Sequence, residues 1–185
     1  MPRGLEEPNS LGSNRNEVDR NVKIGILGEV YPGENRVALT PDSARQLGKL
    51  GHSCAIVSGA GLKAGITDAA YAEAGVTIYP DAQSLCANVD LVAKVRPPTL
   101  DEVKLFRKGQ TLISFIYPAQ NGELLEALKE QGVNTIAMDM VPRISRAQKM
   151  DALTSMAGVS GYRAVIEAAN AFGRFLNGQI TAAGK

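Results

Sequence analysis

From Val22 onward, runs of four or five apolar residues alternate with longer segments that carry helix caps and a 3.6-residue apolar period. An apolar run of that length suits a buried strand and is too short for a helix, so the alternation predicts repeated βα units and a mostly parallel sheet. Strands are expected over Lys23 to Leu27, Ser53 to Val57, Val76 to Tyr79, Leu91 to Val95, Thr111 to Phe115 and Thr135 to Met138. Between them, Thr40 caps a helix with Pro41 at its first position, Ala44, Leu47 and Leu50 on one face, and Gly51 as the left-handed stop. Thr99 and Glu102 have capping-box spacing, Val103 and Phe106 supply the buried stripe, and Gly109 is the expected end. A further helix is expected from about Asn121, with Leu124, Leu125 and Leu128 inward, to Gly132. The predicted fold class is α/β, a mostly parallel sheet with helices on both faces.

The pattern also divides the chain. Residues 1–21 hold scattered apolar side chains among Pro, Gly, Asn and Ser, and are expected to be a disordered extension. Residues 22–160 form the predicted α/β, cleft-forming domain. Residues 139–155 show no sustained period, and residues 161–185 read as an exit helix and linker, with Tyr162, Val165, Ala169, Phe172 and Leu176 at helical spacing. No apolar run reaches the length of a secretory core or a membrane span. Twenty Lys and Arg against 19 Asp and Glu leave a net charge of +1, which excludes a dedicated nucleic-acid binder. One His and two Cys are too few for a conventional metal centre or a disulfide framework, and fit a reduced cytosolic protein.

Several segments compete as carriers of chemistry. The glycine-rich Gly59 to Gly65 turn is spaced GxGxxxG, one residue too long for a dinucleotide fingerprint, and reads as a plain tight turn. His52 follows a helix stop and reads as a surface turn residue, and Cys54 and Cys86 as inert buried thiols. Glu29 and Arg36 flank a loop after the first strand, where an open parallel sheet binds ligands; a solvated ion pair is an equal reading. The loop from Pro142 to Ser155 brings Arg143, Gln148, Asp151 and Thr154 within a short span, a donor and acceptor set able to hold a planar amide and ribose hydroxyls. An ordinary surface connection is the bland alternative.

Phe115-Ile-Tyr-Pro-Ala-Gln-Asn121, Val141-Pro-Arg-Ile-Ser-Arg-Ala-Gln148, Gly161-Tyr-Arg-Ala164, Phe172-Gly-Arg-Phe and Gly178-Gln-Ile-Thr-Ala-Ala-Gly-Lys185 break the tie. Together they resemble the N-terminal part of the alpha subunit of proton-translocating NAD(P) transhydrogenases, and the Glu34 to Pro41 stretch resembles the wider family shared with alanine dehydrogenase. The resemblance implies a Rossmann-like or flavodoxin-like half that packs against a second, dinucleotide-binding Rossmann domain absent from this chain. NAD(H) would lie in the cleft between the two, and hydride would pass to NADP(H) held by a partner domain of the beta subunit. It implies Arg143, Gln148 and Asp151 as catalytic residues and Arg143, Gln148, Asp151, Thr154 and Tyr162 as cofactor contacts, with no metal. It further implies a homodimer in the cytoplasm, peripheral at the inner membrane through its partner subunits, and little activity from this chain alone.

The chain departs from the family pattern at a few places. Thr154 stands where Ser is usual, Gly158 and Ser160 where Asn and Ala are more common, and Leu27 and Gly28 where Pro and a basic residue are common. Alanine dehydrogenases carry a His where this chain has Tyr117, and cations matching Arg36 and Lys94 that would hold an amino-acid carboxylate. Two lesser readings remain: a noncatalytic interaction module that docks with a complete alpha subunit, and an alanine dehydrogenase-like fragment.

Overall fold

A computed structural model describes residues 21–178, 180 and 182–184. Six strands, β1 (Lys23–Ile26), β2 (Ser53–Val57), β3 (Thr77–Tyr79), β4 (Leu91–Ala93), β5 (Thr111–Ser114) and β6 (Asn134–Ala137), pair in parallel in the order β3-β2-β1-β4-β5-β6. All six fall on the apolar runs; most are a residue or two shorter than the runs, and β6 sits one residue earlier. The extension expected over residues 1–21 lies outside the described residues except for Asn21. That residue is tied down, its Oδ1 accepting from Ser53 Oγ at 3.3 Å.

The helices are α1 (Pro41–Lys49), α2 (Asp68–Glu73), α3 (Ala82–Asn88), α4 (Leu100–Val103), α5 (Gly122–Gln131) and α6 (Ala152–Phe172). Their starts follow the caps: Thr40 accepts from Ser43 N–H, and Thr99 and Glu102 complete the capping box. Thr67 and Asp81 cap α2 and α3 in the same way, two short helices the apolar period had not singled out. Right-handed crossovers running outward in both directions from β1 put α1 and α2 on one face and α3, α4 and α5 on the other. On the α3 face, Leu85, Val89, Val103, Phe106, Leu124 and Leu128 pack on Ala55, Val92 and Leu112. Gly25 is required there, because a Cβ would stand 2.6 Å from Leu85 Cδ2 and 2.8 Å from Val89 Cγ2. On the other face Ala44 and Tyr71 pack on Ile26, Cys54 and Ile56. That second cover stops at β1: over β4, β5 and β6 the same face leaves Leu91, Ala93, Ile113 and Phe115 half-buried and Ile136 49% exposed.

Some expectations need correcting. Leu50 is 71% exposed because it is the C-cap of α1, beyond the turn that aligns Ala44 and Leu47. Leu125 is also exposed; the i, i+4 pair Leu124 and Leu128 faces the sheet, with Ala127 beside it. The helix after Thr99 is one turn long and ends at Val103; Gly109 belongs to the left-handed turn before β5. The stretch expected to lack a period, residues 139–155, takes in most of one 3-10 turn, Met138–Met140, all of a second, Ser145–Met150, and the start of α6. That helix runs unbroken across the position between 160 and 161 and stops at Gly173, whose backbone is left-handed, so Leu176 lies outside it. None of its residues is buried, which explains why no stripe marked its first half.

Candidate functional site

In an open parallel sheet the first place to seek a ligand is beyond the carboxyl ends of the strands, where the strand order reverses. Here that point lies between β1 and β4, and it is sealed by the chain itself. Glu29, buried just past β1, accepts from the amides of Val95 and Arg96 just past β4, at 2.6 and 3.1 Å. Those are the backbone donors an anionic ligand would otherwise take. Glu29 is therefore neither a free ligand group nor a solvated partner of Arg36.

Arg36 pairs instead with Glu34, which accepts from its Nε and Nη2, both at 2.7 Å. Glu34 also accepts from Arg96 Nε at 2.8 Å, and the Arg96 guanidinium lies over the Tyr31 ring. The hydrogen bond from Arg36, helped by that from Arg96, outweighs the effect of burial and holds the Glu34 carboxyl down at about 2. Lys94 is enclosed, its Nζ donating to Glu102 Oε1 at 2.6 Å and to the Gly28 carbonyl at 3.2 Å. Both cations that alanine dehydrogenases would offer to a carboxylate are thus already paired within this chain.

The open crevice lies farther along, at the ends of β5 and β6. A cavity of about 350 Å³ there is lined by Arg36, Tyr117, Asp139, Arg143 and Asp151, with Met156 of α6 closing one side. A more apolar recess of about 520 Å³ adjoins it over the bare half-face, between Ala93, Ile113, Phe115 and Met150. Tyr117 is the one non-glycine residue with positive φ among the described residues, at 51°. Its amide and that of Ile116 both donate to the Asp139 carboxylate, at 2.9 and 2.7 Å.

Of the residues singled out in the sequence, Arg143 and Asp151 meet on this cavity. Asp151 is the N-cap of α6: Oδ1 accepts from the amides of Leu153 and Thr154, and Oδ2 from the Thr154 hydroxyl at 2.6 Å. The Thr154 hydroxyl is the main reason its carboxyl lies below the usual range; Arg143 adds a smaller electrostatic contribution. Thr154 is therefore beside the site, with its hydroxyl spent on Asp151. Gln148 is exposed and lies off the cavity wall, and Tyr162 is 74% exposed, two turns farther along α6.

The decoys resolve by packing. Gly61 in the glycine-rich turn must lack a side chain, because a Cβ would stand 2.6 Å from the Tyr71 ring, and the Gly59 amide of the same turn already donates to Asp68 Oδ1 at 2.9 Å. Burial pushes the Cys86 thiol up to about 11, and Cys54 upward as well, as expected of inert thiols. His52 is half-buried and accepts from the Val22 amide at 3.4 Å. Asp139 and the turned-over Tyr117 were missed as site residues. The rule that led to Glu29, an acidic residue just past a strand end, applies equally to Asp139. Nothing in the sequence signals a left-handed tyrosine.

Among the described residues, no helix is long and apolar enough to cross a membrane, and no three His, Cys, Asp or Glu residues are grouped to hold a metal ion. What the fold and crevice define is a doubly wound parallel α/β domain of Rossmann-like order, with a polar and aromatic crevice displaced from the switch point. Residues 25–160 match the family model described as alanine dehydrogenase/PNT, N-terminal domain, and the chain belongs to that family. It is 63% identical over 164 residues to the NAD(P) transhydrogenase subunit alpha of Cereibacter sphaeroides, covering 89% of this chain and 31% of that protein. The crystal structure of transhydrogenase from Sinorhizobium meliloti superposes with a TM-score of 0.79 at 38% identity, covering 88% of this chain and 48% of the other. An L-alanine dehydrogenase structure gives 0.62 at 35% identity, covering 64% and 33%. The chain spans between about a third and under half of the length of the curated transhydrogenase relatives it matches.

Proposed function

We propose that this domain is the N-terminal part of the NAD(H)-binding component of a proton-translocating transhydrogenase, and that its crevice forms one wall of the hydride-transfer site. The observation that carries this reading is the meeting of Arg143 and Asp151 with an aromatic residue on one cavity beyond β5 and β6. A nicotinamide carboxamide needs both donors and acceptors. The Arg143 fork offers the donors, and the Asp151 carboxylate, with three of its roughly four lone-pair positions used, can accept one more bond. The donor set suits a nicotinamide end alone, since Asp68 takes the Gly59 amide of the glycine-rich turn and Glu29 occupies the switch-point amides. The pyrophosphate would then rest on a second, Rossmann half.

The nucleotides, when bound, would supply the chemistry, a balanced two-electron hydride exchange between NADH held here and NADP on a partner domain. The protein's share is orientation and exclusion of water. Arg143 and Asp151 would fix the ring's angle, Met156 and Phe115 would keep the pocket dry, and the exposed Gln148 would face the second nucleotide. Tyr162 and the apolar exposed residues of α6 lead toward the Rossmann half of the alpha subunit, with a homodimer and a beta subunit as further partners and membrane attachment through them. The paired state of Arg36 and Lys94 weighs against the alanine dehydrogenase reading.

The test grafts residues 22–184 in place of the matching segment of the Cereibacter sphaeroides subunit and follows hydride transfer between NADH and an NADP analogue. The graft should be active. Arg143→Ala, Gln148→Ala and Asp151→Asn should each lower turnover, by on the order of a hundredfold for Arg143→Ala, with smaller effects on NADH affinity. Near-normal turnover in all three variants would remove this loop from the site.

A further inference from the structure

Tyr117 occupies a backbone region that costs free energy for every residue except glycine. A glycine there would relieve the cost, yet the chain spends four hydrogen bonds on keeping the turn. The Asp139 carboxylate accepts from the Ile116 and Tyr117 amides, and Asn121 Nδ2 donates to the Ile116 and Tyr117 carbonyls, at 2.7 and 3.3 Å. Asp139 comes from the turn after β6 and Asn121 from the cap of α5, so two separate elements converge on one residue. The bonds to the carboxylate are charge-assisted and strong enough to offset the strain. Strain held this way at the rim of a cavity is a sign of a side chain being aimed.

The side chain so aimed is aromatic. The Tyr117 ring stacks nearly parallel to Phe115, at 6.0 Å between centroids and 14° between planes. Tyr117 also lines the cavity that holds Arg143 and Asp151, together with Arg36. An aromatic ring that lines one small cavity with a guanidinium and a carboxylate is a surface on which a flat heterocyclic ring can lie. We propose that Tyr117 is a stacking floor for the planar ring of the ligand in this crevice, and that Asp139 and Asn121 are positioning residues acting through it. This rests on the reading of the crevice as a nicotinamide site and adds to it the residues that set the tilt of the ring.

The test uses the active graft. Tyr117→Gly relieves the backbone and removes the ring, so thermal stability should hold or rise while turnover falls on the order of tenfold. Tyr117→Phe keeps the face and should recover most of that loss, to within about threefold of the parent. Asp139→Asn offers an amide where a second acceptor is needed, and should lower turnover in the parent but add little in the Tyr117→Gly background, since its effect passes through the ring. Additive losses in the double variant, or a Tyr117→Gly enzyme as fast as the parent, would overturn the floor while leaving the nicotinamide site standing. A folded but inactive unsubstituted graft would overturn both.

Discussion

On the side of β3 and β2 the sheet is covered on both faces; beyond β1, among the described residues, helices cover only one. The two halves share the parallel strand direction, yet Ile56 of β2 is fully buried whereas Ile136 of β6 is 49% exposed. The difference follows from topology. Each crossover lays its helix on the face dictated by the direction of travel, so α1 and α2 are spent on one side of β1, and α3, α4 and α5 all fall on the opposite face. The fully covered half is scaffold. The half-covered one carries the crevice, the recess beside it and the exposed helix α6, and so has apolar and polar surface left uncovered.

The largest contrast between the two faces is expected at a pair of adjacent residues on β5. Leu112 is fully buried under α4 and α5, while its neighbour Ile113 points to the bare face and is half-buried. Leu112→Ala should cost about 3 kcal/mol or more. Ile113→Ala should cost less than about 1.5 kcal/mol. Urea unfolding of the 185-residue chain measures both, and equal losses would mean that the second face is covered after all.

A smaller effect is expected at the boundary between the halves, where Glu34 ties the loop after β1 to Arg96 after β4. Glu34→Gln should cost on the order of 2 kcal/mol, because it leaves two guanidiniums without their carboxylate. Its pH dependence has a definite sign. The carboxyl is lowered from 4.5 to about 2, so its stabilisation is complete above 4.5 and is lost as pH falls toward 2. Thermal melts between those limits should be flatter for the variant than for the parent. The smallest effect belongs to the bare edge: Ile136→Lys should change stability by less than about 0.5 kcal/mol. It should nonetheless reduce self-association in sedimentation, since an exposed apolar edge strand invites pairing.

The scaffold was readable because its signals are local. Strands announced themselves as apolar runs, and Thr40, Thr99 and Glu102 marked helix starts through bonds spanning three residues. The site was readable only in part. Arg143 and Asp151 lie eight residues apart in one loop, and resemblance singled them out together. The roles of Glu29, Lys94 and Asp139 depend in part on groups at other strand ends, the Val95 amide, the Gly28 carbonyl and the Tyr117 amide, which spacing along the chain cannot reveal. Gln148 shares a motif with Arg143 and Tyr162 belongs to the next one, yet the backbone carries both away from the cavity that Arg143 lines.

The claim on which the account turns is that the crevice beyond β5 and β6, and not the glycine-rich turn after β2, receives the nicotinamide end. Nuclear magnetic resonance of the isotope-labelled 185-residue chain titrated with reduced nicotinamide mononucleotide locates that end directly. The account predicts weak binding, with shifts concentrated at Tyr117, Arg143 and Asp151 and none at Gly59 to Gly65. Shifts centred on the glycine-rich turn, with Arg143 and Asp151 unmoved, would contradict it.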